Sequence, residues 1–332
     1  MSMSTMWSVI GVLGLFCLTT VAEAQPSADK VLTDLGLSAD DKQNVMSGQF
    51  VIVDVSGVSD RDLSFAIAFL VKTPPDVLAK QIETGALAAA DPQVQSFGEP
   101  SGSGSQADFA KLTITDDEAQ ALTNAKAGEK LNLSTAEIAA FRALAGRPTA
   151  AVQEQLRRML LARYQAYRAS GLSGIAPYDR GDGKTSQFAS DLRKASQAAQ
   201  VLTQYLPGFQ KVLLGYPQAT MAGMQDRFFW FKSNIHGETT YVLAHIVAAP
   251  EGAARAALRR EYYVSTGYNG EETVGALLPV QEGTVVVSNV HAFTDQVTGF
   301  GGSFKRSIGS KVMAGKMKEI YEAEREKSQK LR

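Results

Sequence analysis

The chain has 332 residues, of which 45% are hydrophobic and 20% are charged, as is typical of a globular protein that buries a sizeable core. It has 33 basic and 34 acidic residues, so the formal net charge is −1. Because there is no excess of positive charge, the composition does not favour nucleic acid as a partner.

The first 24 residues have the pattern of a signal peptide. An apolar run from Trp7 to Val21 leads into Ala22-Glu23-Ala24, which provides the small residues expected at a cleavage site before Gln25. The residues before Trp7 include no Lys or Arg, and an uncleaved N-terminal anchor is the alternative. We predict that residues 1–24 are a signal peptide and that the remainder is periplasmic or secreted, without a further transmembrane segment.

The single cysteine, Cys17, lies inside this segment. Phe16 precedes it, where a lipoprotein would have a small residue, so we expect no lipid anchor. Residues 25–332 therefore offer no disulfide, no thiolate nucleophile and no cysteine ligand for a metal. The three histidines, His236, His245 and His291, are not spaced as metal ligands, and we predict neither a metal nor a cofactor.

The first half of the remaining chain is predicted to contain short helices and two strands, followed by a helical block over about residues 115–205. The predicted strands are Gln49–Val55 and Asp62–Lys72, with a further short strand over Phe109–Ile114. Helix starts are indicated at Ser38, at Pro74-Pro75, at Thr115-Asp-Asp-Glu118 and at Ser134-Thr-Ala-Glu137. The clearest helix covers Ala151–Ser170, with Gly171 as its C-terminal cap.

The C-terminal region is predicted to form a sheet-plus-helix unit over about residues 226–323. Its strands are Arg227–Lys232, Thr239–Ala248, Ala256–Ser265 and Thr284–Ala292. A long helix then begins near Ser303, and its apolar stripe consists of Phe304, Ile308, Val312, Met313, Met317, Ile320 and Tyr321. We therefore predict one α+β domain over 25–332, an antiparallel sheet closed by a long C-terminal helix, with a mainly helical middle section.

Residues at alternate positions of three of these strands are expected to share a face. The sets are Tyr241, Leu243, His245 and Val247; Leu258, Arg260, Tyr262 and Val264; and Val285, Val287, Asn289 and His291. A buried Arg260 would need a carboxylate partner or an anionic ligand. For His245 and His291, a buried and hydrogen-bonded ring is the default interpretation, and a ligand-binding or acid–base role is the alternative.

Three segments resemble an uncharacterised family of exported bacterial proteins, which brings no known activity. They are Leu131-Asn-Leu-Ser-Thr-Ala-Glu-Ile138, Gly174-Ile-Ala-Pro-Tyr-Asp-Arg-Gly181 and Thr294-Asp-Gln-Val-Thr-Gly-Phe-Gly301. The region from Phe228 onward, with its closing helix, is also similar to the helix-grip layout of START-like lipid- and small-ligand-binding domains. The stretch Lys72-Thr-Pro-Pro-Asp-Val77 resembles the entry helix of that superfamily, whereas the helical block departs from it.

Tyr178, Asp179 and Arg180 form the most promising polar group, because a phenol, a carboxylate and a guanidinium are adjacent in a loop framed by proline and glycine. They can orient a ligand, or Asp179 and Arg180 can pin the loop to the domain. We expect any function to require this loop to lie against the C-terminal sheet-plus-helix unit, whose most specific feature is the loop Phe293–Gly302.

The leading hypothesis is an exported protein, without catalytic activity, that binds a small hydrophobic molecule or lipid between the C-terminal sheet and the last helix. The tentative ligand-binding residues are Tyr178, Asp179, Arg180, His245, Arg260 and His291. One alternative is an enzyme that uses the Tyr178 loop with a strand histidine. The other is a structural or interaction protein of the cell envelope, which would expose an apolar patch.

Overall fold

The computed structural model describes residues 27–89, 91–235, 237–299 and 301–330. The predicted signal peptide, residues 1–24, lies outside the described residues, as do His236 and Phe300. Helices pack against an open sheet of eight strands in which each neighbouring pair is antiparallel. The predicted α+β class is confirmed.

The strands run in the order β1-β2-β8-β7-β6-β5-β4-β3 across the sheet. Their bounds are β1 (Val51–Val53), β2 (Asp62–Val71), β3 (Val94–Gly98), β4 (Gln225–Ile235), β5 (Glu238–Glu251), β6 (Ala254–Val264), β7 (Gly270–Val280) and β8 (Gly283–Phe293). Strands β4 to β8 follow one another as a meander, and the N-terminal strands flank it on both sides. The C-terminal region is therefore the centre of the sheet.

The helices fall into an N-terminal pair, a pair after β2, a central block and a C-terminal helix. Their bounds are α1 (Ala28–Asp34), α2 (Ala39–Met46), α3 (Pro75–Glu83), α4 (Ala86–Ala89), α5 (Asp116–Thr123), α6 (Thr135–Arg142), α7 (Thr149–Ser170), α8 (Phe188–Ala198), α9 (Gln200–Tyr205), α10 (Pro207–Gly215) and α11 (Gly302–Lys330). The capping boxes predicted at Thr115 and Ser134 are present. No helix in these described ranges is long and apolar enough to span a bilayer.

Gly171 ends α7, as predicted, and it shows why glycine is needed at this position. Its φ is +55°, and a Cβ atom there would lie 2.2 Å from the carbonyl oxygen of Tyr216. The close approach joins the end of α7 to the segment that follows α10.

Strand β7 lies in the middle of the sheet, yet the sequence pattern does not predict it. Gly275 and Pro279, which are unfavourable in strands, interrupt its alternation of apolar and polar residues. Glycine suits position 275 because β8 approaches closely there, and a Cβ atom would lie 2.7 Å from Ser288 Oγ. Pro279 is opposite Thr284, close to the β7–β8 turn. The short edge strand β3 was missed as well.

Two predictions about local structure were wrong. Phe109–Ile114 is not a strand, because a 3₁₀ helix over Gln106–Phe109 leads into irregular backbone. Val264 does not share a face with Tyr262, because the register shifts between Leu243 and Ala244. This β-bulge turns both Tyr262 and Tyr263 towards the helical block, and Val264 packs on the other side of the sheet.

The two faces of the sheet are covered differently. One face, here called the helical face, packs against α1, α2 and the block from α5 to α10 through two large apolar clusters. The other, here called the opposite face, packs against α3 and α4 near Phe229 and Leu277, and against α11 near Phe65. The helical face therefore holds most of the core.

Helix α11 uses only part of its predicted apolar stripe to contact the sheet. Met313, Ala314 and Met317 pack against Phe65 and Val290. In contrast, three side chains of the stripe are exposed, by 71% at Phe304, 47% at Ile308 and 68% at Val312. The side chains of Ile320 and Tyr321 lie outside the described part of the chain. The residues predicted as one apolar stripe thus lie on two sides of the helix, one facing the sheet and one facing outward.

Candidate functional site

Tyr178 is buried where the loop after α7 meets the sheet. Its hydroxyl donates a hydrogen bond to the carbonyl oxygen of Asn269 at 2.8 Å, and its ring stacks on Phe188 with 6.0 Å between centroids. Burial disfavours the phenolate and raises the pKa of Tyr178 to about 12. The phenol is therefore a neutral hydrogen-bond donor that holds the loop in place.

Asp179 holds the same loop to the start of α6. Its carboxylate accepts hydrogen bonds from Thr135 Oγ1 at 2.6 Å and from the backbone N–H of Gly181 at 2.9 Å. Both bonds favour the charged form, so they lower the pKa of the carboxyl group. These are the contacts expected of a residue that pins a loop.

Arg180 brings the loop against the segment that follows β8. One terminal nitrogen, Nη2, lies 2.8 Å from Asp295 Oδ2 and 2.9 Å from Asn269 Oδ1. Asp295 belongs to the loop Phe293–Gly302, so the Tyr178 loop lies against the C-terminal unit, as the sequence suggested. Asp295 also lies 4.0 Å from Arg61, which pairs at 3.0 Å with the buried Asp191. Positive and negative charges therefore alternate along this seam.

The other predicted residues lie in one row across the helical face. Their strand partners are His245 with Arg260, Arg260 with Glu272, and Glu272 with His291. Residues directly opposite each other on neighbouring strands project to the same side of a sheet. The row therefore places four polar side chains beneath the helices, and their exposed fractions are 0% for His245 and Arg260, 1% for Glu272 and 3% for His291.

Arg260 is the centre of this buried row. Its Nε donates to Glu272 Oε2 at 2.6 Å, which supplies the carboxylate partner that a buried guanidinium requires. Its terminal nitrogens donate to Tyr167 on α7 and to Ser196 on α8, both at 3.0 Å. Ser196 in turn donates to Glu272 Oε1 at 2.6 Å. The network thus neutralises Arg260 and joins two helices to two strands.

The protonation state of His245 follows from the same network. The hydroxyl oxygen of Tyr167 accepts from Arg260, so its single proton is available to His245 Nδ1 at 3.1 Å. The ring is then neutral and carries its proton on Nε2, which lies 3.9 Å from Asp226 Oδ2. Burial, with the positive charges of Arg260 and Arg168, lowers the pKa of His245 well below its usual value.

His291 forms a separate buried pair at the end of the row. Its Nδ1 lies 2.8 Å from Asp62 Oδ2 on β2. The same carboxylate oxygen accepts the backbone N–H of Val58 at 2.7 Å. His291 therefore connects β8 to the turn that precedes β2, and this is the hydrogen-bonded default that the sequence suggested.

A cleft of about 260 Å³ lies close to the row without opening onto it. Its walls include Ser170, Arg193 and Tyr216. The Tyr216 ring is tilted against His245, with 4.5 Å between ring centroids, so the tyrosine separates the histidine from the cleft. Its volume is below the roughly 300–1,000 Å³ that is usual for small-molecule sites. A second cleft follows the outer side of α3, so neither cleft lies between the sheet and α11.

The opposite face carries a polar cluster that the sequence reasoning missed. Glu261 and Glu271 are directly opposite each other on β6 and β7. Glu261 pairs with Arg259 and accepts a hydrogen bond from Tyr268, both at 2.5 Å. Burial, reinforced by the charge of Glu261, raises the pKa of Glu271 to about 7. If β7 had been predicted, the consecutive residues Glu271 and Glu272 would have been placed on opposite faces of the sheet. Glu271 would then have been recognised as a second acidic residue on the opposite face.

The six predicted site residues therefore divide between different clusters. Tyr178 and Arg180 meet at Asn269, Asp179 binds Thr135, His245 and Arg260 share the Tyr167 network, and His291 pairs with Asp62. Within the ranges that the structure describes, no group of three or more His, Cys, Asp or Glu side chains is arranged to hold a metal ion.

No protein-family model, curated protein or solved structure matches this chain. The resemblances to an exported bacterial family and to START-like domains therefore stay predictions.

Proposed function

We propose that this chain is an exported interaction protein of the cell envelope, which binds another envelope component through the outer face of α11. The observation that carries the proposal is the exposed line of Phe304, Ile308 and Val312. Their spacing of four residues puts them on one side of the helix. Contiguous apolar side chains that a fold leaves in solvent commonly mark a contact with another molecule.

The arrangement of the polar side chains supports this proposal over catalysis by the Tyr178 loop. That alternative needs the loop and a strand histidine to converge in one accessible cleft. Tyr178 and His245 are both buried, and their hydroxyl and imidazole groups contact different partners. Arg260, which lies opposite His245 in the buried row, is already neutralised by Glu272.

Binding of a small hydrophobic molecule between the sheet and α11 stays a prediction, as does the closing of the sheet by that helix. The side of α11 that faces the sheet is occupied by Met313, Ala314 and Met317. Extraction of the purified protein with organic solvent, followed by mass spectrometry, tests this alternative. A stoichiometric apolar molecule other than a bilayer phospholipid in the extract would favour it over an interaction surface.

Cell fractionation tests the proposed function. The wild-type chain and the double variant Ile308→Ser/Val312→Ser are each produced with the native N-terminal segment in a Gram-negative host. We expect wild-type protein in the periplasm to sediment with large envelope assemblies and the variant to remain in the supernatant. Val77→Ser is the matched control, because Val77 is an apolar residue of 48% exposure on α3. Identical fractionation of all three proteins would contradict the proposal, as would retention in the cytoplasm.

A further inference from the structure

The outer face of α11 is held in a fixed orientation relative to the sheet. Ala314 is buried against the sheet. Gly309 lies close to Leu63 of β2, since a Cβ atom at position 309 would lie 2.8 Å from Leu63 Cδ2. Near the start of the helix, Arg306 Nη1 donates to the carbonyl oxygen of Asp60 at 2.9 Å. The fold therefore presents Phe304, Ile308 and Val312 outward on one side of α11.

Lysines border this stripe on both sides. With about 100° of rotation per residue, Lys305 and Lys316 lie about 60–80° to one side of Ile308, and Lys311 and Lys318 lie about as far to the other side. Residues 302–319 contain five cations and a single anion, Glu319, which lies 3.3 Å from Lys316, and Lys318 lies 3.8 Å from Glu322 in the next turn. The face is therefore a narrow apolar line between two rows of positive charge.

This arrangement fits an anionic lipid surface better than a protein groove. In the interfacial region of a bilayer, apolar side chains enter the acyl boundary while long lysine side chains reach back to charged headgroups and water. A protein groove that covered Ile308 would also desolvate the lysines on both sides, unless it supplied an acid for each of them. A flat anionic surface meets both rows at once.

A second copy of this chain fits less well. If two α11 helices packed through their stripes, the lysine rows of one copy would face those of the other. Like charges opposite each other across an interface oppose association. Glu319 and Glu322, the acids nearest to these rows, already pair with Lys316 and Lys318 of their own helix.

We infer that the outer face of α11 binds the surface of an anionic phospholipid bilayer, with the helix lying in the plane of the interface. The apolar stripe supplies insertion, and the flanking lysines supply attraction to the headgroups. This inference rests on the proposed function, because it names the component that the stripe contacts.

Vesicle sedimentation tests the inference. Protein purified from the periplasm, with its N-terminus checked by mass spectrometry, is mixed with phosphatidylcholine vesicles that contain or lack phosphatidylglycerol. We expect at least about tenfold tighter binding to the anionic vesicles, and loss of most of that binding between about 0.05 M and about 0.5 M salt. Equal binding to both vesicles, or to neither, would overturn the inference.

Two variants separate the apolar contribution from the charged one. Ile308→Ser/Val312→Ser should weaken binding to anionic vesicles by about tenfold or more. Lys305→Gln/Lys311→Gln/Lys316→Gln/Lys318→Gln should remove the preference for phosphatidylglycerol. The controls are Val77→Ser and Lys126→Gln/Lys130→Gln, whose residues lie away from α11, and both should bind within about twofold of wild type. Circular dichroism confirms that each variant is folded. Unchanged binding by either α11 variant would overturn the inference.

The failure of this inference is distinguishable from failure of the proposed function. If the stripe variant leaves the envelope fraction in cells but wild-type protein ignores vesicles, the interaction function stands and the lipid inference is wrong. If light scattering then shows that wild-type protein associates with itself and the stripe variant does not, the partner is a second copy of the chain.

Discussion

On the helical face of the sheet, charged side chains are buried and paired, whereas on the opposite side of the molecule apolar side chains of α11 are exposed. Arg260 and Glu272 form an ion pair, and Arg260 also donates hydrogen bonds to α7 and α8. Phe304 and Val312 contact no comparable core. The comparison separates two roles, since the buried row fixes helices to strands and the exposed stripe adds little to the fold.

The largest expected effect comes from breaking the buried row. Arg260→Leu leaves the carboxylate of Glu272 buried without its cation, so the free energy of unfolding should fall by about 3–5 kcal/mol. Urea denaturation measures the change. A loss below about 1 kcal/mol would mean that the row is not what fixes the helices to the sheet.

Two control variants make this test specific. Arg255 is on the same strand and pairs at 2.5 Å with the exposed Asp76, so Arg255→Leu should cost less than about 1 kcal/mol. Arg260→Met/Glu272→Leu replaces both buried charges and should recover much of the stability that Arg260→Leu loses.

Removal of the Tyr178 hydroxyl should have a smaller effect. Tyr178→Phe leaves the carbonyl oxygen of Asn269 without this hydrogen bond, and the free energy of unfolding should fall by about 1–3 kcal/mol. Thermal or urea unfolding measures it. Tyr205→Phe, whose hydroxyl bonds an exposed Asp34, is the control and should change stability by less than about 0.5 kcal/mol. Equal effects would show that the Tyr178 loop is not held by this bond.

Glu271 gives the opposite face a distinct pH dependence. Its pKa is raised from 4.5 to about 7 in the folded protein, so the folded state keeps this proton to higher pH than the unfolded state does. The stability that this group contributes is complete below about pH 4.5 and is lost as the pH rises through about 7. Glu271→Gln should therefore be more stable than wild type at pH 8, by about 1–3 kcal/mol, with little difference at pH 4.5.

Urea denaturation at the two pH values checks this difference. Glu282→Gln in the exposed β7–β8 turn controls for the general loss of one acidic residue. A gain from Glu271→Gln that is the same at both pH values would contradict the explanation by a raised pKa.

The smallest expected effect on stability comes from the exposed stripe itself. Ile308→Ser/Val312→Ser should change the free energy of unfolding by less than about 0.5 kcal/mol, because neither residue packs in the core. Met313→Ser, on the side that contacts the sheet, should cost about 1–2 kcal/mol. If the outer pair cost as much as Met313, the stripe would be part of the fold and the comparison of roles would fail.

The class of the fold and several local features could be predicted from the sequence, because they depend on short-range patterns. Neighbouring residues predict the capping boxes at Thr115 and Ser134 and the end of α7 at Gly171. Burial predicts that Arg260 needs a carboxylate partner. The placement of the Tyr178 loop against the C-terminal unit was also anticipated, but the pairing of Arg180 with Asp295 was not.

The carboxylate partner of Arg260 could not be predicted. Glu272 lies on β7, a central strand whose alternating pattern is interrupted by Gly275 and Pro279. The row from His245 to His291 depends on register across four strands, which alternation within each strand does not determine. For α11, the sequence shows where the apolar side chains are but not how much of the helix the sheet covers. The packing of the helix on the sheet decides that Met313 contacts the sheet while Val312 is exposed.

A fluorescent label at position 308 tests the central claim most directly. Cys17 is the only cysteine, so Ile308→Cys in a chain that also carries Cys17→Ser provides a single attachment site for an environment-sensitive dye. We predict that its emission moves to shorter wavelength and brightens when phosphatidylglycerol vesicles are added, while the same dye at Val77→Cys does not respond. No response at position 308, or equal responses at both positions, would contradict the assignment of the outer face of α11 as the membrane-binding surface.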